Sequence, residues 1–328
     1  MIKNISALII STLICFNTAY AADLNQRDDV KQFIDKMVNE HQFDKKQLQG
    51  WFSKTELQPK IIEAISRPAE KKLKWHEYRK IFVKPNRIEK GVIFWTTHKE
   101  TLARAEKEYG VPAHIITAII GVETRYGEHK GRYRVIDSLV TLGFDYPKRS
   151  KFFKSELEHY LLLVRDEGVD PFSINGSYAG AMGIPQFISS SYRHYAIDFD
   201  GDGIRDLWNN PVDAIGSVAN YFKQHGWQTG QGVVIPAKIT GEGYQTLIKR
   251  GLKPHTPLAE FAKFGLSFDT DADTTMDVSL IELDQPSSKE HWIAFKNFYV
   301  ITRYNHSPLY AMAAYQLSLE IKKAHDAS

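Results

Sequence analysis

Residues 111–127 have the sequence VPAHIITAIIGVETRYG, and this stretch contains the clearest indications of fold and chemistry in the chain. Apolar residues fill most positions before Glu123, which is typical of a helix buried on all sides. Glu123 continues the stripe of Ile115 and Ile119 by i, i+4 spacing. The stretch therefore predicts a buried helix that carries one carboxyl group near its C-terminal end.

Two interpretations of Glu123 follow from this position. Burial and the negative end of the helix dipole would both raise the pKa of its carboxyl. A carboxylic acid that is still protonated near neutral pH is what glycosidic-bond cleavage requires. The alternative is a structural ion pair with Arg125 or another basic side chain, and the spacing alone leaves both interpretations open.

The sequence on either side predicts a mainly α protein with a smaller β part (α+β). From Arg27 to about Tyr109 apolar residues recur at helical spacing, and Pro59, Pro68 and Pro85 divide this region into short helices. A β-rich insertion is predicted over about 228–300, where glycines separate β-branched runs and residues 278–283 alternate with period two. Further helices are predicted over Ser150–Asp166, Ile184–Tyr195, Pro211–His225 and Pro308 to about His325.

Residues 1–22 have the pattern of a secretory signal peptide, with a lysine, an apolar stretch and small residues before the expected cut after Ala21. No later segment approaches the 18 or so uncharged apolar residues of a membrane span, so we expect a soluble, exported protein. The single cysteine, Cys15, lies within the removed segment. Ile14 before it disfavours lipidation, because a lipoprotein signal has a small residue there.

Composition excludes several functional classes. The 328 residues are 43% hydrophobic and 25% charged, a globular composition with a length typical of about two domains. A net charge of +3 is too small to indicate a nucleic-acid partner. One cysteine excludes a disulfide framework, a cysteine-ligated zinc site and an iron–sulfur cluster. The sequence also lacks a phosphate-binding loop and an HExxH zinc pair.

Residues 198–206, DFDGDGIRD, match the first part of an EF-hand calcium loop. Alternating carboxylates repel one another unless a cation lies among them. Asn209 stands where the loop would end on a bidentate Glu, and the next carboxylate is Asp213, so we expect an extended loop. The pattern predicts a weak, structural calcium site, and the alternative is an Asp/Gly-rich turn that holds no ion.

A third segment, residues 177–187, has the sequence SYAGAMGIPQF. Its small residues allow close backbone approach. Ser177 and Gln186 could hydrogen-bond a polar ligand, although helix packing alone would also explain the small residues.

Together these segments resemble the B-type lytic murein transglycosylases, the family of membrane-bound lytic transglycosylase B. They occur in family order from about Tyr78 to Tyr310. The matching segments are GVETRYG, YPKRSKFF from Tyr146, SYAGAMGIPQF, the aspartate loop, NNPVDAIGSVANYF over 209–222 and ITRYNHS over 301–307. The resemblance implies a lysozyme-like helical core with an added helical domain and a small β-rich domain. The implied boundaries are a signal peptide over 1–21, a helical domain over 22–110 plus about 308–328, a catalytic core over 111–227 with the EF-hand-like loop over 198–213, and a β-rich domain over 228–300.

The resemblance further implies cleavage of the β-1,4 bond between N-acetylmuramic acid and N-acetylglucosamine in peptidoglycan, with formation of 1,6-anhydromuramic acid ends. Glu123 falls on the family's single catalytic acid/base. The implied glycan-binding positions are Tyr78, Ser177, Gln186, Tyr221, Tyr304, Asn305 and Tyr310, and Arg149 matches a position for the peptide or muramyl carboxylate. The implied calcium ligands are Asp198, Asp200, Asp202, the Ile204 carbonyl and Asp213, and no cofactor is needed for the chemistry.

The expected partners are peptidoglycan glycan strands and other cell-wall enzymes, with no nucleic acid, and we expect a periplasmic monomer without a lipid anchor. Two alternatives remain. A hydrolytic muramidase would need a second carboxylate, with Glu128, Asp137, Asp145 and Asp170 as candidates. A non-catalytic, calcium-stabilised peptidoglycan-binding protein would use Glu123 only as a structural ion pair.

Overall fold

The computed structural model describes residues 23–66 and 73–328. The predicted signal segment, with Cys15, and the predicted helix boundary at Pro68 lie outside these residues. By internal contacts the chain divides after Thr55 into a small unit and a large one. Among the helices of the described residues, none is long and apolar enough to cross a membrane.

The small unit is a pair of helices, α1 (Asp28–His41) and α2 (Lys45–Lys54), preceded by a 3-10 turn at Leu24–Gln26. The helix α1 is amphipathic and buries Phe33 and its apolar neighbours. The ring centroids of Phe33 and Phe52 lie 6.1 Å apart, which joins the two helices.

The large unit begins with four short helices. They are α3 (Pro59–Ser66), α4 (Trp75–Phe82), α5 (Pro85–Thr97) and α6 (Lys99–Tyr109). Pro59 and Pro85 each occupy the first helical position, where the missing proline N–H leaves no hydrogen bond unmade. The predicted division of this region at these two prolines is confirmed.

The helix α7 (Ala113–Thr124) is the centre of the large unit. All of its residues are buried except His114 and Glu123. It packs against α5 and α6, and also against two helices from later in the chain, α11 and α14. The predicted buried helix is therefore confirmed.

Helices and one short pair of strands follow α7. They are β1 (Tyr133–Arg134), α8 (Val135–Asp145), α9 (Ser150–Glu167), β2 (Asn175–Gly176), α10 (Ser189–Tyr195) and α11 (Pro211–Gln224), with β1 antiparallel to β2. The predicted helix over Ile184–Tyr195 is wrong at its start, because α10 begins only at Ser189. Before it, Met182 pairs with Phe187 as a β-bridge and Gln186 has a φ of 52°, neither of which is helical.

A five-stranded antiparallel sheet confirms the predicted β-rich region. Its strands are β3 (Val234–Ile239), β4 (Thr256–Pro257), β5 (Leu266–Ser267), β6 (Asp277–Asp284) and β7 (Lys289–Ala294), in the order β4-β6-β7-β3-β5, with α12 (Tyr244–Lys249) and a 3-10 helix (Leu258–Phe264) between strands. Leu280 of β6 lies opposite Ile293 of β7, and both belong to its buried core. The region ends at Ala294, a few residues earlier than predicted.

Two C-terminal helices, α13 (Lys296–Tyr304) and α14 (Pro308–Asp326), complete the chain. The helix α14 packs against α7, α5 and α4, so the end of the chain returns to the buried central helix. The fold is mainly α with a small β part, as predicted, while the division into domains stays a prediction.

Candidate active site

The carboxyl of Glu123 lies in the last turn of α7, recessed but not sealed from solvent. Burial disfavours the ionised form and raises the pKa of Glu123 to about 7. One interaction opposes this effect, a hydrogen bond of 2.5 Å that the Tyr310 hydroxyl donates to Oε1. The carboxyl is therefore divided between its acid and its carboxylate form near neutral pH.

Ion pairing does not explain Glu123. None of the salt bridges within residues 23–66 and 73–328 involves its carboxyl, so the predicted alternative of a pair with Arg125 is not observed there. Arg125 is exposed and caps the end of α7. Of the two interpretations left open by the spacing, the raised-pKa acid is the one that the contacts support.

Tyr310 reaches Glu123 because the first turn of α14 lies against α7. Ser307 is the N-cap of α14, and its hydroxyl oxygen accepts a hydrogen bond from the Tyr310 backbone N–H. The Tyr310 side chain is only 3% exposed. Burial and the nearby Glu123 charge raise the pKa of Tyr310 well above its usual value, so its hydroxyl keeps its proton and acts as a donor.

A cluster of tyrosines surrounds this pair. The Tyr304 hydroxyl donates to the Pro185 carbonyl at 2.5 Å, and the Tyr221 hydroxyl donates to the Arg303 carbonyl at 2.6 Å. The Tyr221 and Tyr304 ring centroids are 4.9 Å apart at an angle of 62°. Burial, followed by the Glu123 charge, raises the pKa of both Tyr304 and Tyr78, which places both rings near the carboxyl.

The segment 175–187 forms a folded loop that is tied to the end of α7. The Thr124 hydroxyl, next to Glu123, donates to the Ile184 carbonyl at 2.8 Å. The Gln186 amide nitrogen donates to the Lys130 and Gly183 carbonyls, so its oxygen is the atom that the group can offer to a ligand. The Ser177 hydroxyl oxygen accepts the backbone N–H of Ala181 at 3.0 Å, which leaves its proton free to donate elsewhere.

The turn after Glu123 is conformationally strained. Arg125, Tyr126 and Gly127 have φ values of 51°, 64° and 91°, and non-glycine residues seldom adopt such angles. The Tyr126 hydroxyl donates to the Arg87 carbonyl at 2.8 Å. A Cβ added to Gly121 would lie 2.5 Å from that hydroxyl oxygen, and one added to Gly91 would lie 2.6 Å from it. The Tyr126 side chain thus packs between α5 and α7, where we call it the Tyr126 wedge, and it stabilises the strained turn.

The structure brings together only part of the predicted binding set. Tyr78, Tyr304 and Tyr310 lie around Glu123, Tyr221 packs on Tyr304, and Gln186 follows the proline that Tyr304 contacts. Asn305 is exposed at the end of α13.

Arg149 is also exposed. Its guanidinium lies 4.2 Å from the Phe152 ring centroid and 5.2 Å from the Phe153 ring centroid. Its role toward a substrate stays a prediction.

Candidates for a second carboxylate have other partners. Glu128 is exposed and pairs with Lys90, whereas Asp137 is buried and accepts from Arg134 Nε at 2.6 Å. Asp170 is exposed and caps the following backbone turn. Among the residues that the structure describes, no carboxylate contributes to the raised pKa of Glu123.

Carboxylate oxygens of Asp198, Asp200 and Asp202 converge to within 4.8 Å of one another. Three negative charges at this spacing fit a hard cation such as Ca²⁺, which prefers oxygen ligands. Asp213 is fully buried, and its two oxygens accept the backbone N–H groups of Phe199 (2.7 Å) and Asp206 (2.8 Å). Asp213 thus links the two ends of the loop through hydrogen bonds. Its role as a calcium ligand stays a prediction, as does that of the Ile204 carbonyl.

Several supporting residues were missed by the sequence reasoning. Thr124 and Tyr126 lie within the motif that contains Glu123, so their positions beside a reactive group were available as a signal. Gly91 and Pro185 carry no such signal, because their partners are distant in the sequence.

Comparison with known proteins agrees with this geometry. A family model described as the Transglycosylase SLT domain matches residues 25–319. Membrane-bound lytic murein transglycosylase B of Escherichia coli (strain K12) is 43% identical over 311 residues, which cover 92% of this chain and 85% of that protein.

Solved structures are similar over the same length. Lytic transglycosylase SltB1 from Pseudomonas aeruginosa matches with a TM-score of 0.89 and 50% identity, over 92% of this chain and 100% of that one. Escherichia coli Slt35 in complex with calcium matches with a TM-score of 0.83 and 42% identity, over 92% of this chain and 95% of that one. Pseudomonas aeruginosa SltB3 in complex with NAG-anhNAM-pentapeptide matches with a TM-score of 0.80 and 29% identity, over 90% of this chain and 79% of that one. The resemblance seen in the sequence is confirmed, and the chain belongs to the Transglycosylase SLT domain family of lytic murein transglycosylases.

Proposed function

We propose that this lytic transglycosylase cleaves the β-1,4 bond between N-acetylmuramic acid and N-acetylglucosamine, and that Glu123 is its only catalytic acid and base. The observation that carries the proposal is the recessed Glu123 carboxyl, whose pKa is raised to about 7 by burial and not by a second acid. A group with a pKa near the working pH both donates and accepts a proton efficiently.

In the first step, protonated Glu123 donates to the glycosidic oxygen as positive charge develops at the muramyl C1. The Tyr310 hydroxyl stabilises the carboxylate that this step creates, because a hydrogen bond to an ion is stronger than one to a neutral group. The N-acetyl oxygen of the substrate assists at C1, which removes the need for a carboxylate nucleophile.

In the second step, ionised Glu123 takes the proton from the muramyl C6 hydroxyl. That oxygen attacks C1 and closes a 1,6-anhydro ring, so no water is consumed and the carboxyl returns to its acid form. The complex of the relative SltB3 with NAG-anhNAM-pentapeptide supports this product class.

The surrounding side chains are proposed to bind the glycan. Tyr78, Tyr221 and Tyr304 offer ring faces and edges around the carboxyl. The loop 175–187 offers the Ser177 hydroxyl and the Gln186 carboxamide oxygen. Asn305, Arg149 and Tyr310 complete the proposed set, with Arg149 for the peptide or muramyl carboxylate.

We also propose a structural Ca²⁺ in the aspartate loop, held by Asp198, Asp200, Asp202, the Ile204 carbonyl and Asp213. The convergence of the first three carboxylates supports it, as does the calcium complex of the relative Slt35. The ion would fix the loop that precedes α11 and would take no part in the reaction.

The site of action is proposed to be the periplasm, reached through the signal segment 1–21. A peptidoglycan substrate supports this location, because the polymer lies outside the cytoplasm.

Mass spectrometry of the released muropeptides tests the function. The mature protein should convert purified sacculi into anhydromuropeptides, which are one water lighter than the hydrolytic products. Glu123→Gln should keep glycan binding and lose turnover by orders of magnitude. Hydrolytic products, or near-normal turnover of the variant, would show that the proposed chemistry is wrong.

A further inference from the structure

A cavity of about 230 Å³ lies between the α4–α5 turn and the strained turn after α7. Its basic lining residues are Lys84, Arg87, Lys90 and Arg125, and Tyr126 forms part of its wall. No acidic residue of the described chain lines it. Glu128 lies nearby and pairs with Lys90, so the other three cations exceed the local negative charge.

Arg87 is the unusual member of this lining. The residue is only 9% exposed, and its Nη1 is buried without a hydrogen-bond partner among the described residues. Burial and the neighbouring Arg125 charge both lower the pKa of Arg87, so its surroundings oppose its positive charge. A buried charge is unfavourable unless a counter-charge or hydrogen-bond acceptor accompanies it.

The position of Arg87 is well determined by its neighbours. Its guanidinium lies 5.0 Å from the Phe82 ring centroid, and its carbonyl accepts the Tyr126 hydroxyl at 2.8 Å. The cationic group is therefore held in place before any ligand arrives, which lowers the entropic cost of binding one.

We propose that this cavity binds a small oxyanion, a carboxylate or a phosphate, between Arg87 and Arg125. Planar guanidinium groups match such anions with paired hydrogen bonds. The volume is sufficient for an anion of a few heavy atoms.

The location indicates a source for the anion. Arg125 follows Glu123 by two residues, and the helix α4 that ends at the cavity also carries Tyr78, which lies near Glu123. A carboxylate on the peptide stem of peptidoglycan is therefore one candidate source, and this source rests on the proposed function. A free oxyanion has the same chemistry and is the other source.

Binding is tested in the Glu123→Gln background, so that the result does not depend on turnover. Inorganic phosphate is titrated by calorimetry into the full mature chain, into Arg125→Gln and into Lys84→Gln. Arg125 and Lys84 are exposed, so these two variants should fold. Arg87 is buried, and a substitution there could prevent folding, so it is not used. Lys323→Gln, an exposed lysine of α14, removes the same charge as a control.

We expect Arg125→Gln to weaken phosphate binding about tenfold or more, as loss of a hydrogen bond to an ion does, and Lys323→Gln to have no such effect. A second arm, with Glu123 intact, compares KM for peptide-bearing and peptide-free glycan. A rise in KM on peptide-bearing glycan alone identifies the stem carboxylate, whereas equal KM changes identify a free oxyanion. Phosphate affinity that is the same in Arg125→Gln, Lys84→Gln and the control would overturn the site, whether or not the enzyme turns over.

Discussion

Removing the Tyr310 hydroxyl should move the pH dependence of catalysis in a direction that the geometry fixes. In the folded protein this hydroxyl donates to Oε1 of Glu123 and lowers the pKa of that carboxyl, in opposition to burial. Tyr310→Phe leaves the burial in place and removes the opposing interaction. The pKa of Glu123 should therefore rise above its value of about 7.

The size of this shift follows from the strength of the lost interaction. A hydrogen bond to a charged group contributes about 1.5–3 kcal/mol, and one pKa unit corresponds to about 1.4 kcal/mol. The expected shift is thus about one to two units upward. Because the first step needs the protonated acid, the alkaline limb of the pH profile of kcat/KM should move upward by the same amount.

The assay is muropeptide release from a defined glycan at constant ionic strength, followed across the pH range for both proteins. The position of the alkaline limb is the readout, since its height also reflects the loss of stabilisation of the carboxylate. Tyr304→Phe is the matched control, because its hydroxyl donates to the Pro185 carbonyl and not to the carboxyl. A limb that stays in place in Tyr310→Phe, or moves to lower pH, would refute the reasoning.

Three further predictions concern stability and metal binding. The folded pKa of Glu123 is raised from 4.5 to about 7, so its ionisation destabilises the folded state progressively over that pH range. At pH 8.5 the free energy of unfolding of Glu123→Gln should therefore exceed that of the parent by up to about 3 kcal/mol, seen as a higher unfolding temperature, with no gain at pH 4. A gain that is equal at both pH values would contradict this. Gly121→Ala should lower the free energy of unfolding by about 1–3 kcal/mol, because its Cβ would lie 2.5 Å from the Tyr126 hydroxyl oxygen. The control is Gly50→Ala, whose added Cβ would have no neighbouring atom within 4 Å. Measured by denaturant unfolding, this control should be neutral or stabilising. Millimolar Ca²⁺ should raise Tm, and a chelator should reverse the rise. At a Ca²⁺ concentration one hundred times Kd the free energy of unfolding should increase by about 2.7 kcal/mol. Asp200→Asn should lose this response, and an unchanged response would exclude the aspartate loop as the site.

Local periodicity was sufficient to predict the central helix and the burial around Glu123. The i, i+4 stripe of Ile115, Ile119 and Glu123 is contained in one helix, so the sequence carries that information directly. The strand over 278–283 was also predicted locally, but the expected alternation is not observed, because Val278 through Ile281 are all buried.

The residues that complete the site could not be derived in this way. Tyr310 contacts a carboxyl 187 residues earlier in the chain, and only the resemblance to a family pointed to it. The helix predicted from Ile184 failed because Gln186 is held in a left-handed conformation and the Met182–Phe187 bridge closes the loop. Such a conformation depends on tertiary contacts with Lys130 and Leu207, which no local pattern encodes.

The Arg87 cavity had no signal in the sequence at all. Arg87 lies in α5 and Arg125 in the turn after α7, 38 residues later, and no local spacing indicates a shared site. Their proximity arises from the Tyr126 wedge, which draws the turn after α7 toward α5.

The protonation state of Glu123 is the point on which the mechanism depends, and it can be measured by NMR. The chain is labelled with ¹³C at the glutamate carboxyl carbon, and the Glu123 resonance is assigned by its loss in Glu123→Gln. Its chemical shift is then followed against pH in the folded protein. The structure predicts a midpoint of about 7. A midpoint near the ordinary glutamate value of 4.5 would mean that the carboxyl is ionised before the substrate binds, and that it cannot be the acid proposed here.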